Sequence, residues 1–242
     1  MSVQGQRWWL VGASEGLGRA LARQMSAAGA ELVLSARSEV RLEALARELP
    51  GPARALPMDV ADMGSVRAAA SQVGELDGLV WLAASYWPMS AQDWDADRVA
   101  QMCDVNLTGC ARVLGQVVPG FAARGRGHVV LTGSLAGYRG LPGAIGYGAS
   151  KAGVMALAES MQADLRGSGV KVQLVNPGFI RTRLTELNDF DMPFLMEPED
   201  AAARILRHMG TRRFALSFPR RFAALFRLGQ FVPDGVWYRL MG

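Results

Sequence analysis

Short runs that are apolar almost throughout alternate along the chain with longer stretches in which apolar residues recur every three or four positions. The runs RWWLVG (7–12), ELVLSA (31–36), ARALPM (53–58), DGLVWLAA (77–84), HVVLTG (128–133), VKVQLVN (170–176) and RFALSF (213–218) have the pattern of strands buried on both faces. The intervening periodicity predicts helices over 17–29, 39–49, 65–73, 97–123, 147–166 and 198–209. Gly29 ends the first of these, and Pro50-Gly51 stops the second. Pro119 is expected to disturb the long helix over 97–123. Strands alternating with helices predict an α/β fold, a mostly parallel seven-stranded sheet covered by helices on both faces. Right-handed crossovers make that sheet doubly wound. No linker, repeat or low-complexity segment interrupts the pattern, so residues 1–242 are expected to form a single domain.

Composition narrows the function classes. The 242 residues are half hydrophobic and one-fifth charged, as in ordinary globular chains. No apolar run approaches the ~18 residues that span a bilayer, and the apolar stretch before Gly12 is too short for a secretory signal. Cys103 and Cys110 are the only cysteines and are expected seven apart on one helix, which suits neither a disulfide framework nor a metal site. Two His without a ligand cluster argue against a metal enzyme, and a reducing cytoplasm is the expected location. The net charge of +4 is uneven: residues 211–242 carry six Arg and one Asp, so the remainder is near neutral. No nucleic-acid-binding signature accompanies the basic tail, and a nucleic-acid partner is not expected.

Candidate chemistry begins at VGASEGLGRA (11–20), where Gly12, Gly16 and Gly18 lie between a strand and a helix. Such glycines let backbone approach a pyrophosphate at a helix N-terminus, as in a Rossmann-type domain, although G-x-x-x-G-x-G differs from G-x-G-x-x-G and packing alone also places glycines at such turns. After the second strand, Ser35-Ala36-Arg37-Ser38 lacks the acid that would bond a ribose 2′-hydroxyl, and Arg37 supplies a fork for a 2′-phosphate. NADP(H) is therefore favoured over NAD(H). Glu15 in the turn opposes that reading by charge, and Arg37 as a solvated loop cation is the bland alternative.

The segment YGASK (147–151) raises a second point. The chain has 24 Arg and only two Lys, yet it places Lys151 four residues after Tyr147, one helical turn away on the same face. Ser134 precedes Tyr147 by 13 residues, and Asn106 lies in DVNLTG.

These motifs in this order resemble the short-chain dehydrogenase/reductase family over residues 5–218. The resemblance implies a catalytic set of Asn106, Ser134, Tyr147 and Lys151. Tyr147 would exchange a proton with a carbonyl or alcohol oxygen. Lys151 would lower the phenol's pKa, with a second positive charge from oxidised nicotinamide, and would bond the ribose hydroxyls. Ser134 would polarise the substrate oxygen, and Asn106 would hold a water leading from Lys151 to solvent. It further implies cofactor contacts from Gly12, Ser14, Gly16, Leu17 and Gly18 of the turn, and from Asp59 and Val60. Ala83 and Ala84 after the fourth strand, and Pro177, Gly178, Ile180 and Thr182 of NPGFIRT, complete the contacts. Read without it, Ser134 could cap a strand-end backbone group, Asn106 could bond backbone, and Pro177-Gly178 is a plain turn.

The chain departs from the family at Val11, where Thr is usual, and at Trp81-Leu82-Ala83-Ala84, where Asn-Asn-Ala-Gly is usual. Both departures remove polar groups, which suggests a coupled exchange of hydrogen bonds for packing and requires Val11 to lie near Trp81 and Leu82. Residues 185–200, with Phe190, Met192, Phe194, Leu195 and Met196, are expected as an apolar substrate lid, or alternatively as core or subunit packing. Tyr86, Trp87 and Trp94 would join the same pocket or an interface. The tail 219–242 reads as a basic amphipathic segment that lies on a membrane surface, caps the cleft or joins subunits. Together these features suggest interconversion of an apolar ketone or aldehyde with an alcohol by hydride transfer. By family analogy the chain would be a homodimer or homotetramer. The rivals are a non-catalytic NADP-binding regulatory or scaffold protein and an isomerase or epimerase that uses nicotinamide transiently.

Overall fold

The computed structural model describes residues 3–241. Met1, Ser2 and Gly242, which belong to the 1–242 domain and to the 219–242 tail of the sequence reading, lie outside the described residues. Seven strands, β1 (Arg7–Val11), β2 (Glu31–Ser35), β3 (Ala53–Ala55), β4 (Gly78–Trp81), β5 (Gly127–Thr132), β6 (Val170–Pro177) and β7 (Ala215–Phe218), form one sheet of order β3-β2-β1-β4-β5-β6-β7. Every pairing is parallel.

Both sheet faces are buried because both sets of alternating side chains are apolar. In β1, Trp9 and Val11 join one core cluster while Trp8 and Leu10 join the other. The first cluster is covered by α3 (Met63–Ala70), α5 (Gly109–Ala123) and α6 (Ile145–Asp164). The second is covered by α1 (Gly16–Ala27), α2 (Glu39–Glu48) and α7 (Pro198–Met209). Asp62 caps α3 through Gly64 and Ser65, and Ser38 caps α2.

The expected helix over 97–123 is corrected. It is α4 (Ala96–Cys103), a single wide π turn over Asp104–Thr108, and then α5. The two cysteines therefore flank this turn, Cys103 ending α4 and Cys110 lying in α5. Pro119 does not interrupt α5, because it and Gly115, four residues earlier, lie on the exposed side where water can serve the freed carbonyl. The π turn is held by tertiary bonds through Asn106, described below.

The exchange suggested at Val11 fits the geometry. Val11 and Trp81 are register partners, both fully buried, and the Leu82 amide donates to the Val11 carbonyl at 2.8 Å. One loose end remains, since the Trp81 indole N–H finds no acceptor among the described residues.

The tail is two helices, not one: α8 (Arg220–Gly229) and α9 (Asp234–Met241). Gly229 allows α9 to fold back, because a Cβ there would stand 2.4 Å from the Trp237 ring. Ala223, Phe226 and Trp237 form a small satellite core with Leu135. Arg139 fastens it, donating to the carbonyls of Gly229 and Val232 and pairing with Asp234.

Candidate active site

The strand order reverses between β1 and β4, and the crevice beyond their C-terminal ends is where a doubly wound sheet binds ligands. A cavity of about 660 Å³ occupies that position. It is lined along its length by Gly12, Ser14, Gly16, Leu17, Gly18, Arg37, Asp59, Val60, Ala83, Ala84, Tyr147, Lys151, Pro177, Gly178, Ile180 and Thr182. Every residue expected from the sequence to contact a cofactor is thus on one continuous wall.

The middle of the cavity is shaped by close backbone approach. At Gly12 (φ +95°) a Cβ would meet the Ala83 amide nitrogen at 2.4 Å, and at Gly18 it would meet the Gly12 carbonyl oxygen at 2.0 Å. Neither position can carry a side chain while the turn stays folded against the ends of β1 and β4. The start of α1 therefore presents bare backbone N–H groups to the cavity, an arrangement suited to an anion.

One end of the cavity is open and charged. Arg37 is exposed there beside Ser38 and Arg41. Glu15, expected to repel a phosphate, is instead neutralised: its two carboxylate oxygens pair with Arg41 at 2.7 Å and Arg183 at 2.8 Å. Arg41 and Arg183 were missed from sequence. Arg41 lies in the first turn of α2, just beyond Ser38, and its nearness in sequence to Arg37 offered a signal. Arg183 comes to the turn only through the fold.

The other end is enclosed. Lys151 is 1% exposed and donates from Nζ to the Thr132 carbonyl at 2.9 Å. Its Nζ lies 5.7 Å from the Tyr147 ring centroid, so the two side chains share one space as their helical spacing predicts. Burial pulls the Lys151 ammonium down to about 8. Burial also pushes the Tyr147 phenol up to about 12; hydrogen bonding with Ser134 opposes this, and the nearby Tyr86 phenol adds to it. In this cavity desolvation outweighs any depression of the phenol by Lys151. Tyr86, 61 residues from Tyr147 in sequence, meets it edge-on with centroids 5.0 Å apart and donates to Asn188 Oδ1 at 2.7 Å.

Ser134 Oγ also accepts from the Ala136 amide at 3.2 Å, so the hydroxyl both caps a short turn and neighbours the phenol. Asn106 is fully buried and does not line the cavity. Its Oδ1 accepts from the Ser85 amide at 2.7 Å, and its Nδ2 donates to the Ser85 carbonyl at 3.0 Å and to Ser150 Oγ at 2.9 Å. Both amide hydrogens are thus engaged with protein, tying the strand end after β4 to the helix that carries Tyr147 and Lys151.

A cluster of aromatic rings lies beside the cavity without lining it. Phe222 of α8 packs against Phe179 (5.9 Å between centroids), Phe194 (5.6 Å) and Phe226 (4.9 Å), and Phe179 meets Phe190 at 5.8 Å. A Cβ on the cavity-lining Gly178 would stand 3.2 Å from Phe222. Segment 185–200 and the tail therefore meet beside the cavity. Trp87 lines it, whereas Trp94 is 55% exposed and does not. Among the described residues no group of His, Cys, Asp and Glu has the makings of a metal site.

The sequence and architecture match known proteins. The family model for short chain dehydrogenase matches residues 8–191. An uncharacterised oxidoreductase of Myxococcus xanthus is 36% identical over 232 residues, covering 93% of this chain and 92% of that protein. A 3-oxoacyl-(acyl-carrier-protein) reductase of Thermotoga maritima is 32% identical over 198 residues, covering 77% and 78% respectively. Among solved structures, a short chain dehydrogenase/reductase family protein superposes with a TM-score of 0.82 at 32% identity, covering 90% of this chain and 97% of that one. A Burkholderia cenocepacia short chain dehydrogenase in complex with NADP shares the fold across 100% of this chain and 99% of its own, with a TM-score of 0.87 at 20% identity. The glycine turn, the enclosed Tyr147–Lys151 pair and these matches together place the chain in the short-chain dehydrogenase family of oxidoreductases.

Proposed function

We propose that the chain is an NADP(H)-dependent oxidoreductase that interconverts an apolar ketone or aldehyde with the corresponding alcohol. The observation that carries this reading is one unbroken cavity. It joins an arginine-rich open end to an enclosed Tyr147–Lys151 pair by way of a glycine turn whose close backbone packing leaves no room for a Cβ at Gly12 or Gly18. Such a cavity fits a dinucleotide laid across the strand ends. Arg37, with Ser38 and Arg41, would hold a 2′-phosphate; the turn's backbone would hold the pyrophosphate; and Pro177, Gly178, Ile180 and Thr182 would hold the nicotinamide half. When bound, the nicotinamide supplies or accepts the hydride.

The protein's own part is proton transfer and positioning. A phenol held up near 12 is protonated at neutral pH and is a ready donor to a carbonyl oxygen. Ser134, adjacent to that phenol, would donate a second hydrogen bond to the same oxygen as negative charge develops there. Lys151, buried and cationic below about pH 8, would stabilise the phenolate left behind. Asn106 is a positioning residue, holding the helix of Tyr147 and Lys151 against the strand end after β4. Phe179, Phe190, Phe194 and Phe222 give the substrate side an apolar flank, with residues 185–200 as its lid.

By family likeness the same reading makes the protein a cytoplasmic homodimer or homotetramer. Among the described residues no helix is long and apolar enough to cross a membrane. The test is NADPH consumption with a panel of alkyl and aryl ketones, for the parent and for Tyr147→Phe. Consumption by the parent alone is expected. A parent that binds NADPH without turning over any carbonyl would point to a scaffold, and equal activity of the two would remove Tyr147 from its role.

A further inference from the structure

The C-terminal helices keep apolar residues on both sides. Inward, Ala223, Phe226 and Trp237 fill the satellite core over Leu135. Outward, Leu225, Leu228 (67% exposed), Phe231 (85%), Val236, Tyr238 and Leu240 (71%) remain open to solvent. These six account for more than half of the large exposed hydrophobics among the described residues. The lid rings adjoin them, since half-exposed Phe194 packs on Phe222 of α8. Exposed apolar side chains gathered in this number on two short helices and the turn between them suit an interaction site.

Its charge is one-sided. Arg212, Arg213, Arg220, Arg221, Arg227 and Arg239 are all exposed, and Arg221, Leu225 and Leu228 fall on one stripe of α8. The single acid of this segment, Asp234, is already paired with Arg139 at 2.6 Å. Arginines interleaved with exposed Leu and Phe on short helices match the electrostatic and apolar character of an anionic bilayer surface. A second copy meeting this face across a two-fold axis would set arginine against arginine, with the paired Asp234 as the segment's one acid.

We propose that the outward face of α8 and α9 seats the protein on an anionic phospholipid surface, with the acidic lid tip at Asp189 and Asp191 held off that surface. The seat lies beside the substrate end of the cavity, because Phe222 contacts Gly178 on one side and the lid on the other. An apolar carbonyl dissolved in the bilayer would then reach the cavity past the Phe179, Phe194 and Phe222 rings without crossing bulk water. This last clause rests on the apolar-substrate reading above; the seat itself does not, and it is measured without turnover.

The test is co-sedimentation of the full-length protein with vesicles of phosphatidylcholine alone and of phosphatidylcholine containing about 30 mol% phosphatidylglycerol. The partition coefficient on anionic vesicles is expected to exceed that on neutral ones by about tenfold at low salt and to fall as salt rises. Leu228→Glu/Phe231→Glu should lower it by about tenfold, and Arg220→Gln/Arg221→Gln/Arg227→Gln should erase the preference for anionic lipid. Melting temperature and NADPH binding of these surface variants should match the parent. Equal recovery on both vesicle types, or binding untouched by Leu228→Glu/Phe231→Glu, overturns the proposal. So does a parent that ignores vesicles but breaks into smaller species on light scattering when Leu228 and Phe231 are replaced, which would make this face a contact between copies.

Discussion

The two ends of the cavity are built on opposite electrostatic terms. At the open end the ion pairs of Glu15 with Arg41 and Arg183 involve side chains that are 40–62% exposed. At the enclosed end Lys151 is 1% exposed, donates one hydrogen bond and forms no ion pair among the described residues. Water and salt screen the first set, so each charge there contributes modestly and the total depends on ionic strength. The buried cation is unscreened. It acts strongly on its neighbours, and its own charge is costly to keep, which is why burial pulls it down to about 8. On the proposed function, binding selectivity belongs to the screened end and rate to the dry one.

The sharpest way to break this division is at Tyr147. Tyr147→Phe should lower kcat for ketone reduction by about 1,000-fold while leaving the NADPH Kd, read by fluorescence, unchanged. An equal loss of binding would mean that the phenol serves the open end's task as well.

Lys151→Met should lower kcat by about 100-fold. It should also raise thermal stability at pH 7 by about 2–3 kcal/mol, less whatever the lost bond to Thr132 contributed. The sign follows from linkage. Burial depresses the lysine's folded pKa below its unfolded value, so the unfolded chain binds more protons between about pH 8 and the usual lysine pKa of 10.5, and this residue's contribution to stability rises across that window. The stability gap between Lys151→Met and parent should close as pH rises through it, measured by paired melts. In the parent, kcat/KM for reduction should be flat below pH 8 and fall above it as the buried cation is lost. A profile that stays level to pH 10 would uncouple Lys151 from the proton transfer.

Smaller effects are expected at the open end. Arg37→Ala and Arg41→Ala should each raise KM for NADPH by about tenfold, with NADH kinetics unchanged and the difference shrinking in high salt. Smallest of all, Glu15→Gln should tighten NADPH by less than about threefold, because it releases Arg41 from a pair that water already weakens. A loss of NADPH affinity in Glu15→Gln would instead show that the carboxylate aims Arg41.

Where one local pattern determined the outcome, the fold was legible in the sequence. Apolar residues on both faces of β1 and its neighbours required a parallel sheet covered twice, and Gly12, Gly16 and Gly18 marked the turn that approaches β4. The i, i+4 spacing placed Tyr147 and Lys151 in one space. What escaped depends on partners distant in sequence. The wide turn at Asp104–Thr108 has no local signature, because bonds from Asn106 to Ser85 and Ser150, 21 and 44 residues away, hold it. Glu15 read as a repulsive charge until the fold brought Arg41 and Arg183 to it. The tail read as one amphipathic piece, since only the docking of Trp237 against Gly229 shows that it doubles back. The direction of the Tyr147 shift also lay beyond sequence, because desolvation is a property of the closed cavity.

The most direct test of the central claim follows the transferred hydrogen. The parent and Tyr147→Phe, each loaded with NADPH deuterated at the reactive carbon, are given an apolar ketone, and the alcohol is examined by mass spectrometry. The account predicts one deuterium on the carbinol carbon with the parent, and no alcohol above background with Tyr147→Phe, although both bind the cofactor equally. Alcohol formed at equal rates by both proteins, or alcohol without deuterium, would contradict it.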